Sequence, residues 1–104
     1  MKNDTRNNLM TFMFATKHRR NCFLKQSHID TCVNALKEYE SVGFTFSEIG
    51  FGGNHVHFTV DVPKKYSVTN TLIMLKSISS RGIFEKHPNF RKLYPRGSFW
   101  SGYE

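Results

Sequence analysis

The sequence predicts an α+β fold, a ferredoxin-like (βαββαβ) two-layer sandwich whose antiparallel sheet carries two helices on one face. Three observations lead there. Residues 55–62 (HVHFTVDV) alternate apolar and polar side chains without a slip, as a strand with one covered and one open face does. Two segments, opening near Ser27 and near Ser67, place apolar residues at helical spacing. Short aromatic and β-branched runs separate them, in the order strand, helix, strand, strand, helix, strand.

Each element has its own warrant. Residues 1–8 are polar and rich in Asn, which predicts a loose end. The segment 9–16 (LMTFMFAT) is short, apolar and aromatic and runs into the basic stretch Lys17-His18-Arg19-Arg20, so it reads as a buried strand. Ser27, with Asp30 three positions on, resembles a capping box and opens the first helix. Ile29, Cys32, Val33, Leu36 and Tyr39 form its apolar stripe, and Gly43 stands where a C-terminal glycine cap belongs. The segment 44–51 (FTFSEIGF) predicts a strand, and Gly52-Gly53-Asn54 a turn.

In the strand 55–62, Val56, Phe58, Val60 and Val62 point to one face, and His55, His57, Thr59 and Asp61 to the other. Pro63 ends it. The second helix is expected from Ser67 or Thr69 to about Glu85, with Val68, Leu72, Leu75, Ile78 or Ser79, and Ile83 facing inward. Two prolines and four basic side chains, His87 among them, predict an irregular basic loop over 87–97, and 98–103 (SFWSGY) suits a last short strand.

A chain of 104 residues with 38% hydrophobic content and a mean hydropathy of -0.48 has material for one modest core, so residues 1–104 are expected to form a single domain. It is too apolar for a disordered basic tail. The formal charge is +7, with 15 Lys+Arg against 8 Asp+Glu. Residues 61–104 carry 8 basic and 3 acidic side chains, against 7 and 5 in residues 1–60. Such an excess favours a polyanionic partner. Without an apolar run of about 18 residues, no membrane helix is expected. The start MKNDTRNNLM does not suit a signal peptide, and the expected location is cytoplasmic. Cys22 and Cys32 lack CxxC spacing and are expected as reduced thiols.

The sharpest chemical feature is His55-x-His57. Residues i and i+2 of a strand lie on one face with Cα atoms roughly 6.5–7 Å apart, so two imidazoles there can converge on one divalent cation. Remaining ligands would be water and phosphate oxygens, as in a phosphoryl-transfer site, with Glu48 on the preceding strand as a further candidate. The run Lys17-His18-Arg19-Arg20 can hold phosphates without reading sequence. Lys76, Arg81, Lys86, Arg91, Lys92 and Arg96 extend the charge, and Phe90, Tyr94, Phe99 and Trp100 offer rings that either stack bases or pack in the core, Trp100 being expected in the core. No GxSxG, Walker A or GxGxxG pattern is present.

Taken together, these pieces resemble the HUH tyrosine transposases of small insertion sequences, a group that includes the REP-associated tyrosine transposases. The carriers are the first strand with Thr16-Lys17-His18-Arg19-Arg20, then Asn54-His55-Val56-His57-Phe58 with Val60-Asp61-Val62-Pro63. The helix with Leu75-Lys76 and Ser79-Ser80-Arg81 follows, and then Trp100, so that the likeness runs from about Leu9 to Tyr103. The resemblance implies metal-assisted cleavage and rejoining of single-stranded DNA with hairpin ends, through a tyrosine that forms a phosphotyrosine link. It implies that His55 and His57 hold a divalent metal, Mg2+ or Mn2+, that Lys17, Arg19, Arg20, Lys76 and Arg81 contact DNA, and that the protein works as a homodimer with composite sites.

Two departures stand out. Asn54 replaces the acid that usually precedes the first histidine, which predicts a looser hold on that ring. None of Tyr39, Tyr66, Tyr94 and Tyr103 matches the family's nucleophile, which sits on a helix beyond the Trp-bearing strand, so the chain is expected to lack that helix. Two other classes compete with the enzyme: a non-catalytic nucleic-acid-binding or regulatory module derived from a transposase, and a basic ferredoxin-like interaction domain with no nucleic-acid role.

Overall fold

A strand that alternates strictly must find partners on both edges and cover on one face. The computed structural model, which describes residues 8–102, gives the alternating strand both. β1 (Asn8–Ala15) and β2 (Thr45–Gly52) flank β3 (His55–Val62) in the order β1-β3-β2, all antiparallel. Asn8 stands opposite Val62 and Ala15 opposite His55, without interruption. The β2–β3 register slips once, between Phe46 and Ile49, where β2 bulges.

α1 (Gln26–Leu36) and α2 (Val68–Lys86) pack against each other and cover one face. Cys32 and Leu36 of α1, and Leu75 and Ile83 of α2, join Met10, Phe12, Phe14, Val56, Phe58, Val60 and Val62 in one buried cluster. The opposite face stays open, with Leu9 exposed opposite Asp61 and Met13 exposed opposite His57. The architecture is the α+β, ferredoxin-like sandwich expected from the sequence.

Four expectations change in detail. α1 starts at Gln26 with Lys25 at its N-cap and no side-chain cap, so Ser27 and Asp30 form no capping box; Asp30 instead accepts a 2.9 Å hydrogen bond from Gln26 Nε2. The helix tightens at Leu36 into a 3-10 stretch, Lys37–Val42, and Gly43 then ends it in the left-handed region (φ 101°). α2 does begin on a Ser67 cap, its hydroxyl accepting from Asn70 N–H. Its buried stripe is Thr71, Leu75, Ser79, Ser80 and Ile83, while Val68 is exposed. Ser79, not Ile78, therefore faces inward. In place of an irregular loop, Pro88–Leu93 forms a short helix, α3, with Pro88 in its first turn, where a missing N–H costs nothing.

The expected last strand shrinks to a single bridge, Trp100 opposite Thr16, extended by hydrogen bonds from Lys17 N–H to Phe99 C=O and from Ser101 N–H to Ala15 C=O. Tyr103 and residues 1–7 lie outside the described residues. This segment docks on α2 through polar latches buried in the apolar core. Trp100 Nε1–H donates to Ser79 Oγ (2.9 Å), Ser79 Oγ–H donates to Leu75 C=O (2.7 Å), and Phe99 N–H donates to Ser80 Oγ (3.1 Å). Both cysteines are buried free thiols, and burial pushes Cys32 up to about 12.

Ser79→Ala leaves the Trp100 indole N–H buried without an acceptor and is expected to lower stability by about 1–3 kcal/mol, read from the urea midpoint and a shifted tryptophan emission. A second expectation concerns His28, whose ring meets that of His87 edge-on at 4.4 Å between centroids, with Phe90 alongside. Desolvation first, and the His87 charge second, hold His28 below its ordinary value of 6.5. A base whose pKa is lowered by folding is protonated first in the unfolded chain, so stability is intact above pH 6.5 and falls as the pH drops below it. Unfolding titrations across that range are expected to show the loss, and His28→Phe to flatten it.

Candidate metal and nucleic-acid site

The β-pleat alone puts His55 and His57 on the open face, two residues apart on the central strand. Their rings lie 6.0 Å apart between centroids and 28° from parallel. His57 is exposed and His55 half-buried. An imidazole bound at about 2.1 Å puts its centroid about 3.2 Å from the metal, so two rings 6.0 Å apart are within the span of one ion. His55 is further fixed. Its Nδ1 lies 3.1 Å from Asn54 Oδ1, an acceptor, which requires the proton on Nδ1 and leaves Nε2 free as a ligand. The amide oxygen thus meets the ring nitrogen at the position where the family usually has an acid.

The pair fits a divalent cation as two of its ligands. Among the described residues no set of three His, Cys, Asp or Glu side chains gathers to hold a metal. Glu48, exposed in the β2 bulge, is not brought to the pair. The remaining ligands would come from solvent or from a bound phosphate.

The basic residues divide between two surfaces. Lys17–Arg19 forms a tight turn directly after β1, beside His55, with Thr16 N–H donating to Asn54 C=O. His18 and Arg19 both adopt positive φ (62° and 55°), a left-handed conformation costing about 1–2 kcal/mol for each non-glycine residue. The surroundings impose it. Buried Tyr94 donates its hydroxyl to Lys17 C=O at 2.7 Å, Thr16 Oγ1–H donates to Arg20 C=O at 2.6 Å, and the Arg20 guanidinium lies 5.5 Å from the Tyr94 ring centre. Arg19 and Arg20 are left exposed.

Lys76 and Arg81 lie instead on α2, on the helical side. There they border an open groove of about 1090 Å³ with Leu72, Phe84, Glu85 and Lys92. Lys76 is engaged internally, its ammonium donating to Ser101 C=O at 2.9 Å and sitting 5.6 Å from the Phe14 ring centre. Arg91 is similarly occupied by Tyr94 C=O, Gly97 C=O and the Phe84 ring. The aromatic residues considered for base stacking are core: Tyr94, Phe99 and Trp100 are all buried and Phe90 half-buried.

None of the three described tyrosines offers a hydroxyl at the histidines. Tyr39 and Tyr66 pack on Phe44, near the Pro63 end of β3, away from His55. Tyr94 is buried and its hydroxyl held well above the usual tyrosine range, by desolvation foremost and then by Cys22. Sequence reasoning missed Tyr94 as the clamp of the basic turn, because a lone Tyr between basic residues and Pro95 carries no signal of a partner 77 positions away.

The ferredoxin-like layer thus carries a histidine pair on its open face with a basic turn at its side. The family model described as "Transposase IS200 like" matches residues 5–103, and the chain belongs to that family. It is 28% identical over 90 residues to the transposase for insertion sequence element IS200 of Salmonella typhimurium, and equally to that of Salmonella typhi. The match takes in 85% of this chain and 58% of those relatives, so the chain spans little more than half their length. The fold also matches a crystal structure of a Deinococcus radiodurans protein provisionally described as a transposase, with a TM-score of 0.84 and 16% identity over 99% of this chain and 79% of that one. No helix among the described residues is long and apolar enough to cross a membrane.

Asn54→Ala is expected to let His55 exchange tautomers and to weaken Mn2+ binding by about 10-fold, read as a changed Nδ1/Nε2 pattern in nitrogen-15 spectra and by calorimetry.

Proposed function

We propose that this chain carries the metal- and DNA-holding half of a single-strand DNA strand-transfer site. The observation that supports this best is the pairing of His55 and His57 on the open face, flanked by the rigid basic turn, in a member of the IS200-like transposases. A divalent ion held by the two imidazoles would neutralise charge on a scissile phosphate and polarise it. Two nitrogen ligands favour Mn2+ over Mg2+, which takes oxygen ligands almost exclusively.

The chain's own residues bind and orient. Asn54 keeps His55 Nε2 available, Arg19 and Arg20 hold phosphates beside the pair, and Arg81 and Lys92 extend the track around the end of β1 to the α2 groove. A DNA strand following that path passes the Thr16–Trp100 bridge, which joins the two surfaces. Lys17 and Lys76 stand along the same path. The tyrosine placement supports a second reading of the chain by itself, a binding module without strand-transfer chemistry. In the catalytic reading the nucleophile is none of Tyr39, Tyr66 and Tyr94, and a partner protomer that carries the tyrosine helix supplies it.

Calorimetric titration with Mn2+ and anisotropy with single-stranded hairpin DNA test these readings together. The expected outcome is Mn2+ binding abolished by His55→Ala or His57→Ala, and hairpin binding that weakens steeply with salt and weakens further in Arg19→Ala/Arg20→Ala. Hairpin binding indifferent to Mn2+ and to both histidine variants would favour the module. A denaturation-resistant protein–DNA adduct mapping to Tyr39, Tyr66 or Tyr94 would overturn the assignment of the nucleophile elsewhere.

A further inference from the structure

We infer that Gly50 and Gly52 are positioning residues for the histidine pair, a bare floor on β2 that lets both imidazoles lie across the neighbouring strand. The antiparallel register sets Gly50 opposite His57 and Gly52 opposite His55. A Cβ built on Gly50 would stand 2.5 Å from His57 Cε1 and 2.6 Å from its Nε2. One built on Gly52 would stand 2.7 Å from His55 Nδ1 and 2.9 Å from its Nε2. Real Cβ atoms do not come within 3.0 Å of a neighbour, so any side chain at either position displaces the ring above it.

The arrangement is one-sided. On the other flank, β1 sets Met13 against His57 and Ala15 against His55, and both carry side chains. The rings are therefore accommodated over β2. Strand propensity and backbone entropy both disfavour glycine here, yet it recurs at the two positions of β2 that face a histidine, with core-facing Phe51 between them. β2 is an edge strand of the described sheet, so an ion or phosphate meets the pair above an edge free of side-chain obstruction at 50 and 52.

The geometry of the floor is independent of any ligand; its purpose rests on the metal reading proposed above. The test uses the full chain, with Gly50→Ala, Gly52→Ala and a Ser47→Ala control on the same strand. In the unsubstituted protein, nuclear Overhauser contacts are expected between Gly50 Hα and the His57 ring and between Gly52 Hα and the His55 ring. In the glycine variants, amide spectra outside the β2–β3 hairpin should persist while the histidine ring resonances move, and the Mn2+ dissociation constant should rise about 10-fold or more, with Ser47→Ala unchanged. Absence of those contacts in the unsubstituted protein, or alanine variants that keep both ring resonances and Mn2+ affinity, would overturn the inference. Contacts present in a protein that binds no Mn2+ would support the floor and sink the metal reading, so the two fail separately.

Discussion

The central strand, β3, faces two environments at once, and the rest of the molecule follows from that constraint. Val56, Phe58, Val60 and Val62 are buried, while the residues between them face outward. Since the side-chain period is 2, a one-residue slip against either neighbour would bury both histidines and expose four core residues. Burying those four apolar side chains is worth about 1.5–3 kcal/mol each, so the register is strongly specified. The face that presents His55 and His57 is thus held by the apolar residues behind it, and the site inherits its rigidity from the core.

The same economy operates at the end of β1. There the sheet has no full fourth strand among the described residues, only the Thr16–Trp100 bridge. A single bridge is a weak joint. It persists because Trp100 and Phe99 are buried and latched to Ser79 and Ser80 of α2. Every buried side-chain polar atom among the described residues finds a partner, so these latches fix the segment without leaving an unmet donor. α2 thereby does two jobs, covering the sheet and holding the last segment against β1, where the basic turn begins.

Much of this was legible in the sequence, and the failures have physical reasons. The 55–62 alternation reads directly because one open face leaves the period unblurred. Gly43 reads because a left-handed cap has few other occupants. The capping box at Ser27 and Asp30 does not form because the helix starts two residues earlier, on an uncapped Lys25 held by tertiary packing. α3 does not read as a helix because six residues are too few for periodicity to show; Pro88 in its first turn is the available signal. The histidine pair was visible as spacing. Its glycine floor was not, because the significance of Gly50-Phe51-Gly52 depends on which residues stand opposite, and register is a property of two strands.

Charge is where sequence and structure part most instructively. The tally of basic side chains treats each as available, yet Lys76 and Arg91 are held by backbone carbonyls and stacked on Phe14 and Phe84. A cation so placed still adds to the field, but moving it to a phosphate means abandoning contacts already made. Arg19 differs, being exposed on a left-handed backbone that is enforced from within, while its neighbour Arg20 is exposed but lies over the Tyr94 ring. The cost of that conformation is offset by part-buried hydrogen bonds from Tyr94 and Thr16. The turn therefore holds its shape without an anion, and on the proposed reading a phosphate docking there need not supply the energy of folding it.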